Sequence, residues 1–362
     1  MVIMFAYTKN ETFREFMDRY VFRKEVYEEN VPNIRADNLN NNVYAYNSSI
    51  IVLEQNSLKS YNKMGNEEYA LDITAVNPIF ASAGNYLCIA DKNGQKVYLI
   101  SGRNIVWQKN IEGKINNISV NKNGYISVIA SDTSYKTVIE TYDNNGTELF
   151  KTFLATSNVI DIDISEDNKY LAIAEINLSG IVIQSSIKII SMENAKKTPT
   201  NSIIYTHLAK PDDLIINIEY NNRNNLICMY DGHIDKISGN NSNTELINYS
   251  NEEVMFVDIN LNSAIAKVSK KNKELFNNNA EIQLIDTNDS NNIKYYEIEQ
   301  SPKSVLAYEN IVCINLGTEA IFIDSNGWLI RRYKSSQEIR QVVLSNGIAG
   351  IVYKNKIDLV SL

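Results

Sequence analysis

The chain has 362 residues but only two histidines, His207 and His233. Neither has a second histidine or a cysteine nearby at ligand spacing, which argues against a zinc site. There are 3 cysteines, an odd number that does not make a disulfide framework. No G-x-S-x-G elbow marks a serine hydrolase, and no glycine-rich loop cradles a phosphate. Basic surplus is missing too. The net charge of −8 argues against a general nucleic-acid binder, which needs a cationic face to release counterions. No apolar run reaches the ~20 residues that cross a bilayer.

What is abundant is asparagine, isoleucine and tyrosine, against 5 prolines. Branched and aromatic side chains pack well on a pleated surface. Asparagine tolerates positive φ and bonds its own backbone in turns. The combination predicts many short strands joined by tight turns. The hydrophobic fraction, 44%, is enough for a sizeable core.

The chain opens on MVIMFAY and passes into charged sequence. The run lacks the basic front and small-residue cleavage site of a signal peptide. Two readings stand: a packed or frayed terminus, or the stub of a transmembrane helix. From Asn10 to Tyr27 the pattern predicts a helix. Asn10 can cap it, Glu11 suits the first turn, and Phe13, Phe16, Met17, Tyr20 and Val21 recur at helical spacing.

From Asn41 onward a theme returns about every 40 residues, the period of propeller blades. A strongly apolar second strand follows a polar turn in each unit: NYLCIAD, GYISVIAS, KYLAIAE, NLICMYD, SAIAKV, NIVCINL and GIAGIVY. The units are 41–73, 74–113, 114–156, 157–210, 211–251, 252–300 and 301–337, with a partial unit at 338–362. The last has room for three strands. Val31 to Arg35 is the nearby stretch that can supply its fourth, sparing an exposed edge. The fold predicted is all-β: a β-propeller of about eight four-stranded blades at 31–362, after a short N-terminal helical segment at 1–30. Seven blades is the alternative, if the last unit merges with the first.

Trp107, Phe150 and Trp328, following Gly102, Gly146 and Gly327, look like the end of a quinoprotein-type repeat. The repeats resemble the quinoprotein-like and tryptophan–aspartate-like (WD40-like) propeller superfamilies, although the full glycine–tryptophan docking pattern is missing from most units. The leader FAYTKNETFREFMDRY followed by NVYAYNSSIIVL is similar to an uncharacterised family of membrane-anchored propellers in low-GC Gram-positive bacteria. That resemblance implies a transmembrane helix just before the match, and it favours the stub reading.

Cys88, Cys228 and Cys313 share one register with Ser127, Ala172 and Gly350, a position that wants a small buried residue. Asp161, Asp163, Ser165 and Asp167 imitate the opening of a calcium loop. The glycine and glutamate that such a loop needs are replaced by Glu166 and Ala172, and alternation with Ile160, Ile162 and Ile164 predicts a half-buried strand. Asp231, His233 and Asp235 read as a strand-connecting turn. Arg331, Arg332 and Tyr333, with Lys334, form the densest basic cluster beside aromatics and are the candidate partner-contact residues, on a blade edge where the two arginines face opposite sides. Rim candidates are the insertion Lys270 to Asn279 and the long unit 4, with Lys196, Lys197 and Pro199.

These observations predict a non-enzymatic binding or scaffolding propeller at the outer face of a bacterial membrane, held by an N-terminal single-pass anchor. No cofactor, metal or nucleic acid is expected, and the partner is a protein or a cell-envelope component. The alternatives are an enzyme with its site in the central channel and a cytoplasmic sensor or adaptor.

Overall fold

The computed structural model describes residues 2–36, 39, 42–180, 182–239, 241–270 and 279–362. Every predicted unit is one antiparallel sheet, and the chain is an eight-bladed β-propeller of four-stranded blades. The sheets cover 43–72, 78–110, 114–154, 158–208, 215–248, 254–298, 304–334 and 341–361, blades 1 to 8, with all predicted boundaries falling in the connections between them.

Blade 2 shows why such sequences make such sheets. Its second strand, Tyr86–Asp91, is apolar up to Ala90 and buried from Leu87 to Ala90, as a strand covered on both faces must be. Its fourth strand, Asn104–Asn110, alternates half-buried and exposed residues. The asparagine-rich turns are explained by one recurring bond pattern. The Oδ1 of Asn62, Asn121, Asp143, Asn221 and Asp324 each accepts from the backbone N–H groups two and four residues ahead. A side chain thus satisfies donors that a tight turn would leave bare.

Two compact units contain these sheets: Met1–Ile50, Tyr61–Asn66 and Val254–Leu362 form one, Ile51–Ser60 and Glu67–Glu253 the other. In the second unit, cores fill the space between blades 2 and 3, 3 and 4, and 4 and 5. Trp107 of blade 2 lies against Gly146 of blade 3, whose φ is +79° and whose absent Cβ would sit 2.9 Å from the indole. This is one instance of glycine–tryptophan docking between blades.

In the first unit, cores fill the space between blades 6 and 7 and between 7 and 8. The first strand of blade 8, Gln341–Ser345, lies beside the first strand of blade 1, Val43–Tyr46. Blade 8 takes its fourth strand from the N-terminal segment, as predicted. Asn33–Arg35 runs antiparallel to Lys356–Ser361, pairing Asn33 with Asp358 and Arg35 with Lys356.

The predicted helix from Asn10 to Tyr27 needs correction. Helices span Val2–Lys9 and Glu11–Phe16, a π-helical turn spans Met17–Val21, and Glu25–Tyr27 is a strand. Asn10 does cap, accepting from Phe13 N–H at 3.0 Å. The break comes at Arg23, which takes a φ of +49°. Beyond it the chain runs parallel to Leu329–Lys334 as a fifth strand of blade 7. Phe16 and Val21, placed on a buried stripe by the periodicity, are exposed. Instead Tyr7 packs edge-on against Phe22 and Trp328.

The cysteines are free and buried in the second strands of blades 2, 5 and 7. The predicted shared register holds for Cys88 and Cys313, which face blades 3 and 8, but not for Cys228, which faces blade 4. The turn before it pairs Tyr220 with Leu226 as Val120 pairs with Ile126, so Cys228 matches Val128 and Ile227 takes the place of Ser127. At Gly350, the equivalent of Cys88 and Cys313, an added Cβ would strike Val343 and Ile50, which is why the position stays small. Burial pushes all three thiols up, so native alkylation should be slow for each and should become fast only on unfolding.

Glu25–Tyr27 and Asn33–Arg35 complete different blades, which gives a graded truncation series. Removing residues 1–24 should leave the melting temperature near that of the full chain. Removing 1–29 should lower it by stripping blade 7 of its fifth strand, and removing 1–40 should lower it further. Equal melting temperatures across the series would refute this account of the N-terminal segment.

Candidate functional site

The basic cluster lies on the fourth strand of blade 7, and that strand is no edge. Glu25–Tyr27 pairs along it, bringing Glu25 opposite Arg332 and Val26 opposite Tyr333. The two arginines do face opposite ways. Arg331 Nε donates to Ser361 O of blade 8 at 3.2 Å. Arg332 pairs with Glu319 at 3.1 Å and reaches Tyr296 of blade 6. Lys334 pairs with Glu25 at 2.7 Å. Tyr333 is buried, and its hydroxyl donates to Asp358 Oδ2 at 2.7 Å and lies 2.8 Å from the Tyr353 hydroxyl. The sequence places these residues on an exposed rim because it cannot show the strand that covers them.

Next to this cluster Glu28 ties the leader to blades 7 and 8. Its carboxylate accepts from Ser336 N–H at 2.9 Å, from Ser335 and Ser336 Oγ, from Gln337 Nε2 at 3.0 Å and from Lys356 Nζ. The Lys356 ammonium, with the Ser336 donors, holds the Glu28 carboxyl down at about 2 despite its partial burial.

A second carboxylate group sits on the first strand of blade 4, Asn158–Ile164. Ile162 and Ile164 are buried as the alternation predicts, whereas a bulge between Val159 and Asp161 leaves Ile160 exposed. Asp161 accepts from Ile218 N–H at 3.2 Å and Asn117 Nδ2 at 3.4 Å. Asp163 accepts from Tyr220 N–H at 2.7 Å, Ile164 N–H at 2.9 Å and Ser119 Oγ at 3.1 Å. Blades 3, 4 and 5 are thereby joined through two side chains. Asp258 does the same between blades 6 and 7, accepting from Ala307 N–H at 2.8 Å. Burial raises Asp161 to about 6 and Asp163 to about 7, with the Asp161 charge adding to the second shift. Ser165 and Asp167 turn away into their own loop, where Ser165 Oγ donates to Asp167 and Asp167 pairs with Lys169. The oxygens of the calcium-like stretch are engaged by donors rather than converging on one point.

Blades 4 and 5 also bring the two histidines to one carboxylate, an arrangement the sequence reading missed. His207 Nε2 lies 3.9 Å from Asp235 Oδ2 and His233 Nε2 lies 3.6 Å from Oδ1. Asn243 donates to Oδ2 at 2.6 Å, and His233 stacks on Tyr230 at 4.4 Å. Burial lowers the His207 pKa. Residues 207 and 233 sit in different sheets, so their sequence spacing carries no signal. Among the described residues no group of three or more His, Cys, Asp or Glu is placed to hold a metal ion.

Apolar surface is exposed on blade 4. Leu178, Val182 and Ile183 stand out from the connection between its second and third strands, and Ile203, Ile204 and Leu208 from its fourth. Nearby, Lys196 and Lys197 end a short helix, Met192–Lys197, where Lys197 pairs with Glu193 at 2.6 Å, and Pro199 opens a single 3-10 turn. Of the insertion Lys270 to Asn279, residues 271–278 lie outside the described residues.

The model of the Family of unknown function (DUF5711) matches residues 19–362. No curated protein matches the chain. Among solved structures the chain is similar to Sqt1 of Chaetomium thermophilum, with 13% identity, a TM-score of 0.54 and coverage of 91% of this chain and 97% of that one. It is similar to BamB of Moraxella catarrhalis, with 10% identity, a TM-score of 0.53 and coverage of 92% and 99%. It is also similar to AztD of Citrobacter koseri, with 10% identity, a TM-score of 0.51 and coverage of 82% and 86%. At these identities the likeness is one of fold.

The carboxylates predict opposite pH limbs. Asp161 and Asp163 are raised, so the native state binds more protons than the unfolded chain between about pH 4 and 7. Stability from these groups is full below the unfolded pKa and is lost as pH rises through 6 to 7. Glu28 is lowered, so its contribution is full above the unfolded pKa and is lost as pH falls toward 2. Asp163→Asn should flatten the loss between pH 5 and pH 8, worth on the order of 2 kcal/mol, since the Ser119 hydroxyl can accept from the new amide. Glu28→Gln should cost about 2 kcal/mol at pH 7 and flatten the acid limb. Denaturant titrations at pH 3, 5, 7 and 8 read both. An unchanged limb in either variant would show the assignment to be wrong.

Proposed function

We propose, for this chain, which belongs to the DUF5711 family of unknown function, that it is a non-enzymatic binding or scaffolding propeller tethered at the outer face of a bacterial membrane by its N-terminal segment. The observation that carries the binding reading is the apolar surface on blade 4. Exposed apolar residues grouped on one part of a fold mark an interaction site, and Leu178, Val182, Ile183, Ile203, Ile204 and Leu208 belong to one blade. The reactive groups support it from the other side. The thiols are buried and protonated, and the raised carboxylates each accept backbone N–H groups. The partner on this reading is a protein or a cell-envelope component.

The tether rests on the resemblance of the leader and on the apolar helix Val2–Lys9. No described helix is long and apolar enough to cross a membrane.

One observation favours an enzyme as a second reading: a carboxyl near pH 7, such as Asp163, has the pKa of a general acid or base. Its hydrogen bonds to Tyr220, Ile164 and Ser119 assign it to holding blades together.

Photo-cross-linking in the native cells, with and without Leu178→Ser and Val182→Ser together, tests the binding reading. A cross-linked partner that the double variant loses, with the melting temperature retained, is the expected result. A hydrolase activity abolished by Asp163→Asn would instead favour the enzyme. For the tether, the native protein should stay with membranes in alkaline carbonate and be cut by protease added to intact protoplasts. Recovery in the soluble, protease-protected fraction would overturn it.

A further inference from the structure

We infer that the fourth strand of blade 4, Ile203–Leu208, is a docking edge that accepts an extended, uncharged peptide segment as a fifth strand. The inference deepens the binding reading and rests on it.

Eight fourth strands close the eight blades, and two involve the N-terminal segment: Leu329–Lys334 in blade 7 is covered by Glu25–Tyr27, and the fourth strand of blade 8 is the segment's own Asn33–Arg35, paired with Lys356–Ser361. Of the six others, five carry formal charge: Glu67, Glu68 and Asp72 in blade 1, Lys109 in blade 2, Glu148 and Lys151 in blade 3, Glu245 in blade 5, and Lys294 and Glu297 in blade 6. Charge on an edge strand is the ordinary guard against pairing with another chain. Blade 4 has IIYTHL, with no Asp, Glu, Lys or Arg. Ile203, Ile204 and Leu208 are 49%, 44% and 64% exposed.

The chain shows what such an edge does with a strand. Blade 7 carries a basic edge and is met by a strand bearing an acid, with Glu25 on Lys334 at 2.7 Å and Lys24 O accepting from Arg332 N–H at 2.9 Å. By the same complementarity an uncharged edge calls for an uncharged strand. The size of the edge fits one peptide better than a second copy. Six residues span about 20 Å, and with a strand spacing of about 5 Å the edge offers on the order of 100 Å², well short of the roughly 800 Å² per partner that a stable dimer buries. Main-chain bonds would give the affinity, and apolar side chains on alternate residues would give the selectivity.

The test uses a fluorescein-labelled, end-capped octapeptide of alternating valine and threonine, and a second in which glutamate replaces valine. By anisotropy the full chain should bind the first at least tenfold more tightly than the second. Ile203→Lys with Leu208→Lys should weaken that binding at least tenfold at an unchanged melting temperature, while Phe153→Lys, on the fourth strand of blade 3, should leave it unaltered. Amide exchange should slow within 203–208 on adding the peptide. Failure of the valine peptide to bind would overturn the edge, leaving the binding reading to the cross-linking experiment. Binding that the double variant leaves intact, or protection elsewhere, would overturn the edge and keep the binding reading.

Discussion

A four-stranded sheet leaves a row of unpaired N–H and C=O groups along each of its two outside strands, and the architecture of this chain follows from how those rows are satisfied. Buried donors need partners, and exposed ones invite foreign strands. On the first-strand side, Asp161, Asp163 and Asp258 reach to the neighbouring blade and accept from Ile218, Tyr220 and Ala307. On the fourth-strand side, the N-terminal segment covers two blades and formal charge guards five more. The leader therefore belongs to the propeller: between Lys24 and Arg35 it supplies two strands and the Glu28 carboxylate.

Using carboxylates for this task has an electrostatic cost. An amide donor favours the ionised acceptor, whereas burial and a like charge two residues away favour the neutral one. For Asp161 and Asp163 burial wins, and both stay protonated well above the usual carboxylate range. Glu28 has the same kind of donors but faces the Lys356 ammonium, and the balance reverses. Three carboxylates in structural roles thus sit on opposite sides of their unperturbed pKa because one has a cation beside it and the others have only amides, hydroxyls and each other.

The repeat, the blade boundaries and the closing strand were legible in the sequence because each is written in local terms. A turn such as Asn121 to Tyr125 encodes its own hydrogen bonds, and the apolar second strands mark each blade, although so uniform a run hides that Cys228 stands one residue off the register of Cys88 and Cys313. The end of the helix was not legible. Residues 17–27 have a pattern that suits a helix, but Val26 gains a place in the core between blades 7 and 8 by extending, and Glu25 gains Lys334. Tertiary pairing outweighs a propensity worth tenths of a kcal/mol per residue. The grouping of His207, His233 and Asp235 was hidden for a related reason: a contact between neighbouring blades depends on how the sheets stack, which no spacing along one strand reveals.

The same reasoning explains why the basic cluster misled and the blade 4 edge did not announce itself. Arg331, Arg332 and Lys334 attract notice because charges beside aromatics are conspicuous in a sequence, yet they are the residues to which the chain has supplied its own partner strand. Ile203 to Leu208 reads as one more apolar strand among many. Its distinction appears only when the fourth strands are compared as edges, since an unguarded row of backbone donors and acceptors is defined by position in the sheet. For a propeller, whose buried strands all read alike, the residues that choose a partner are found by asking which edge lacks the protection given to the others.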